Sequence, residues 1–80
     1  MMLDYLVLYF GDADLPIAAD MALNFKCPIV QAANATSDLL ASATTKYQVG
    51  GGSAPAGVTL LGGVDRFDTM KAVLKAMGKG

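Results

Sequence analysis

The chain is 80 residues long, one small domain's worth, with 54% hydrophobic residues, only 16% charged residues and a net charge of −1. The scarcity of charge and the dispersion of Lys26, Lys46, Arg66, Lys71, Lys75 and Lys79 argue against a nucleic-acid-binding face. With no histidine and a single cysteine, Cys27, the chain can form neither an internal disulfide nor a His-dependent catalytic triad, and a zinc site has no ligand pair to start from.

In chain order, Tyr5 to Phe10 is a continuous apolar run, as expected of a strand buried on both faces of a parallel sheet. Gly11 to Asp14 reads as a turn, with Asp14 placed to cap a helix and Pro16 in its first turn, where a missing N–H costs nothing. The predicted helix extends to about Lys26. Leu15, Ile17, Ala18, Ala19, Met21, Ala22, Leu23 and Phe25 cover almost its whole circumference, so it should be buried on more than one side.

Residues 27–32 read as a second strand, with Pro28 at its start because proline cannot donate to a ladder. Asn34 or Thr36 then opens a second helix, predicted over 37–45 with Leu39 and Leu40 turned inward. Residues 46–49 form a third strand, 50–57 a glycine-rich loop, and 58–61 a fourth strand. Asp65 or Asp68 opens the last helix, which runs to about Met77.

The order β-α-β-α-β-β-α predicts one small α/β layer structure over residues 1–80 with a mainly parallel sheet. The short link before the fourth strand lacks the helix a parallel crossover normally uses. That strand is therefore expected to be either antiparallel or a short edge piece.

Few residues offer chemistry. Asp12 and Asp14 follow the end of the first strand, where open parallel sheets bind ligands. They can hold a hydroxyl-rich ligand or a cation, or can simply cap the helix and shape the turn. The glycines at 50–52 and 62–63 lack the order of a phosphate-binding loop and read as turns. Asp65, Arg66 and Asp68 can pair locally at the last helix start, or Arg66 can meet a partner's carboxylate at a subunit junction. Cys27 reads as a structural thiol. No cofactor and no catalytic residue is indicated.

Several segments together resemble a known family. They are Asp4-Tyr5-Leu6-Val7-Leu8, Gly11-Asp12 with the alanine-rich helix, Cys27-Pro28-Ile29-Val30, Tyr47-Gln48-Val49-Gly50-Gly51, and Gly63-Val64-Asp65-Arg66-Phe67-Asp68-Thr69. Over roughly residues 4–76 they resemble the cell wall-binding repeat 2 modules of Gram-positive surface proteins, the last segment being the most specific. The resemblance implies a Rossmann-like module that packs in threes and binds an anionic cell-wall polymer without catalysis. It also implies ligand contacts at Pro28, Ile29, Val30 and Arg66.

Three departures stand out: one repeat in place of three, no secretion signal, and no helix between the third and fourth strands. The first implies that copies of this chain rebuild the tandem array as a homo-oligomer, with a trimer as the natural number. The apolar first helix and the shortage of surface charge point the same way. Met1 to Leu6 lacks a basic stretch, and no segment reaches the ~18 apolar residues of a membrane span. The sequence as given therefore reads as cytoplasmic with no membrane partner, and wall-associated only if another route exports it. The alternative expectation is a cytoplasmic or phage-encoded structural protein that keeps the fold and assembly without polymer binding.

Overall fold

A computed structural model describes residues 3–62 and 66–78, with Arg66 described at the backbone only. Its elements are β1 (Leu3–Tyr9), α1 (Leu15–Phe25), β2 (Ile29–Gln31), α2 (Ser37–Ala41), β3 (Ala43–Val49), β4 (Thr59–Leu61) and α3 (Arg66–Ala76). Single 3-10 turns at Asp12–Asp14 and Ala32–Asn34 follow β1 and β2.

Among the described residues the four strands form one sheet in the order β2-β1-β3-β4, and every pairing is parallel. β1 is central because both of its faces are apolar. Val7 enters one core cluster, with Ala18, Met21 and Ala22 of α1, Val49, Leu61 and Val73 of α3. Leu6 and Leu8 enter the other, with Ala43 and, at its margin, Leu39 and Leu40 of α2. Alternation along a pleated strand sends neighbours to opposite faces. An uninterrupted apolar run is therefore what a sheet covered on both sides requires. The result is three layers, with α1 and α3 on one face and α2 with the flanking loops on the other.

The first helix is buried on one side only. Ala18, Met21 and Ala22 face the sheet, while Leu15, Ala19 and Leu23, four residues apart and so on one stripe, are exposed. Leu23 is 77% exposed. Lys26 ends α1 in the left-handed conformation (φ 55°, ψ 49°), and its amide donates back to the helix carbonyls of Ala22 and Leu23.

The second helix is shorter than the predicted 37–45 and the third strand longer than the predicted 46–49. Thr44 and Thr45 are β-branched and favour a strand. They also lie where the first half of β1 needs a partner: Leu3 pairs with Ala43, Tyr5 with Thr45 and Leu6 with Lys46. Thr36, one of two expected caps, is the one used, its hydroxyl accepting from the Leu39 amide at 3.1 Å. At the other end of α2, the Lys46 ammonium donates to the Leu40 carbonyl at 2.9 Å.

The fourth strand is a short edge piece and is parallel, which corrects the antiparallel alternative. Thr59 pairs with Tyr47 and Leu61 with Val49. The return therefore covers three residues, about 10 Å at ~3.3 Å per residue. Residues 50–58 span that without a helix, reversing direction through Gly50, Gly51 and Gly57 at positive φ.

Candidate functional site

The sheet order changes direction between β1 and β3, since the chain leaves β1 toward β2 and then crosses to β3 on the other side. In open parallel sheets ligands bind at such a point, beyond the carboxyl ends of the strands. Here two glycines shape it. The Phe10 amide donates to the Val49 carbonyl at 3.0 Å, holding the two strand ends together. Gly50 and Gly51 follow at φ 84° and 86°.

Each glycine is matched to its neighbours. A Cβ on Gly50 would lie 2.2 Å from Oδ2 of Asp14, and one on Gly51 would lie 2.8 Å from the Phe10 ring and 3.0 Å from Nε2 of Gln48. Asp14 thus closes the turn after β1. Its carboxylate accepts from the Gly11 amide at 3.1 Å, and its own amide donates to the Gly11 carbonyl at 2.9 Å. The expected Asp14 side-chain cap on α1 is absent for this reason, because the carboxylate is turned back onto Gly11. Asp12 is exposed on the same turn.

Beside these glycines, on the α2 face, lies a crevice of about 540 Å³. Phe10, Ala33, Gln48, Ser53 and Pro55 are among its walls. Gln48 is only 1% exposed, a polar residue inside the strand Ala43–Val49. Its Nε2 donates to the carbonyls of Gly50 at 3.1 Å and Ser53 at 2.8 Å, using both of its hydrogens. Those two carbonyls fix which end of the amide is nitrogen. The Oε1 at the other end has no hydrogen-bond partner among the described residues, and it is not sealed from solvent. Sequence reasoning missed Gln48. The available signal was one long amide in the otherwise apolar stretch Tyr47-Gln48-Val49, immediately before a glycine pair.

The other expected ligand residues are not gathered at this point. Ile29 and Val30 pack against the α1/α3 core and the α2-side core respectively, because neighbours on β2 face opposite ways. Pro28 is exposed and lines a smaller cleft of about 240 Å³ beside Asp4, Tyr5 and Lys26, away from the carboxyl ends of the strands. The backbone of Arg66 begins α3, while its side chain and the neighbouring Gly63, Val64 and Asp65 lie outside the described residues. Cys27, in the same cleft as Pro28, is half-buried. Burial pushes its thiol pKa up from 9.0, with a Val7 backbone hydrogen bond acting in the opposite direction.

The aromatic residues at that cleft form a stack. Phe25 lies between Tyr5, with centroids 4.2 Å apart and planes at 16°, and Tyr47, at 5.9 Å and 11°. These rings saturate one another, in contrast to Phe10, which is 58% exposed.

Fold and crevice together define a small parallel α/β module with its open polar acceptor at the strand ends, and no helix long and apolar enough to cross a membrane among the described residues. Among solved structures it is similar to the C-terminal domain of the CTP1L endolysin, in a mutant form that reduces autoproteolysis. That likeness has a TM-score of 0.80 and 29% identity, covering 96% of this chain and 98% of that domain. It is similar also to a crystal structure of the CTP1L endolysin whose activity is regulated by a secondary translation product. There the TM-score is 0.83 and the identity 28% over 100% of this chain, which spans 30% of that endolysin. No family model and no curated protein matches the sequence.

Proposed function

We propose that the chain is a non-enzymatic cell wall-binding module of the endolysin C-terminal kind. An endolysin is a phage enzyme that opens a bacterial wall. The observation carrying this reading is the likeness to one endolysin's C-terminal domain over nearly the full length of both, at 29% identity. The open crevice at the strand ends supports a binding role. The partner is a polymer of the wall, and the phage connection follows from the same likeness.

We further infer that the module self-associates. Leu15, Ala19 and Leu23 form an exposed apolar stripe on α1, and Phe67 and Met70 are exposed on α3. Single exposed apolar residues are ordinary, but a stripe on a helix is characteristic of an interface. A homotrimer is the assembly that the repeat resemblance implies.

Cosedimentation tests the binding. The protein should pellet with purified Gram-positive walls and stay in solution without them. If the folded protein stays in the supernatant across a panel of such walls, the reading fails and a structural role without polymer binding takes its place. Light scattering tests the assembly. The wild type should show a mass of several protomers, and Leu23→Lys should shift it to one. A monomeric wild type would end the self-association reading.

A further inference from the structure

Resting on the wall-binding reading, we propose that the crevice between Phe10, Ala33 and Gln48 is a subsite for an uncharged sugar ring. The ligand would donate a hydroxyl or acetamido N–H to Gln48 Oε1 and lay its apolar face on the Phe10 ring.

The first support is the unmet acceptor. Gln48 is 99% buried, yet among the described residues only its nitrogen end is hydrogen-bonded, to Gly50 and Ser53, and its Oε1 is left open to solvent. Gln48 is among the walls of a crevice of about 540 Å³, room for a single ring. An acceptor held in place by two hydrogen bonds loses little entropy when it binds a donor.

The second support is Phe10. It is held at its base by the Val49 carbonyl and by contact with Gly51, where a side chain would collide with the ring, yet the ring remains 58% exposed. A fixed, exposed aromatic ring beside a hydrogen-bonding group suits an amphipathic partner, and a pyranose has C–H groups on one face and polar groups at its rim.

The third support concerns charge. No charged side chain is among the described crevice walls. An anionic group there would find no cation among those walls, which favours a neutral saccharide over the anionic polymer implied by the repeat resemblance. Gln48 as an acceptor leads to the same choice, since a phosphate or carboxylate needs donors.

Two surface variants test this without touching the Gln48 hydrogen bonds: Phe10→Ala removes the platform, and Ala33→Phe, at an exposed position, fills the mouth of the crevice. Each is compared with wild type in cosedimentation with purified Gram-positive walls from 50 to 500 mM salt, with circular dichroism confirming the fold. The expected result is that wild-type binding changes less than about twofold across the salt range, while both variants bind at least tenfold more weakly. If the variants bind as wild type does, the subsite is wrong and the wall-binding reading stands. If wild-type binding falls steeply with salt, the ligand is anionic and the inference fails. If wild type binds none of the walls, the wall-binding reading fails and takes this inference with it.

Discussion

The two ends of the sheet are built on opposite plans. At the amino end, Tyr5, Phe25 and Tyr47 stack on one another across β1, α1 and β3, so their stacked faces are engaged within the protein. At the carboxyl end, the aromatic Phe10 is kept from burial, Gln48 has one acceptor unmet among the described residues, and two glycines occupy positions where any side chain would collide. Self-satisfied packing stabilises; unsatisfied groups held rigidly in place are what a ligand can use. A mutation at the amino end should therefore be read in stability and one at the carboxyl end in binding. The glycine pair is the exception, because it supports the geometry of both strand ends.

Gly50→Ala should break this division most severely. Its Cβ would fall 2.2 Å from the Asp14 carboxylate at a backbone φ of 84°, so clash and backbone strain combine. A loss of about 2–4 kcal/mol is expected in urea unfolding. Adding Asp14→Gly should recover part of it, because the two residues share one contact. Full additivity of the two losses would show that Asp14 is not the obstacle.

Phe25→Ala sharpens the contrast. Removing the central ring of the stack should cost about 2 kcal/mol, below the range for a fully buried phenylalanine since the ring is half-exposed. Wall binding by the fraction that remains folded should be unchanged. A binding loss larger than the loss of folded protein would put ligand contacts at the amino end.

Lys26→Gly should stabilise by about 0.5–1 kcal/mol, because a lysine there holds φ at 55°, which glycine adopts without a Cβ penalty. A drop in melting temperature would mean that the lysine side chain contributes more than its backbone costs.

The smallest effect concerns Cys27. Its thiol pKa is raised in the folded state mainly by burial, so folding favours the neutral thiol. The corresponding contribution to stability is fully present below pH 9.0, the unfolded value, and is lost as the pH rises through the higher folded one. Iodoacetamide at pH 8 should accordingly alkylate the native protein several-fold more slowly than the urea-unfolded chain. Equal rates would show a thiol as open as any in the amino-end cleft.

Local signals marked most elements and their order. The apolar run of β1, Pro16 at the start of α1, Pro28 just ahead of β2 and Thr36 capping α2 all act within a few residues, so their effect is visible in the sequence. The boundary between α2 and β3 was not, because Ala43 to Thr45 join the sheet through pairing with Leu3 and Tyr5, some forty positions away in the chain. The same holds for the candidate site. Asp12 and Asp14 lie at the same end of the sheet as the crevice, but the role of Asp14 depends on Gly50 across the strand gap, and Gln48 gains significance only once the crevice exists.

By itself, then, the sequence determined an α/β layer order, an apolar central strand, a helix with two apolar faces and the absence of histidine chemistry. These follow from periodicity, caps and composition, which are local or additive. The tertiary structure alone decided the sheet order, the parallel return into β4, the neighbours that each glycine accommodates and which polar atom is left without a partner among the described residues. Those are contacts between residues far apart in the chain, and their geometry exists only after the strands have paired.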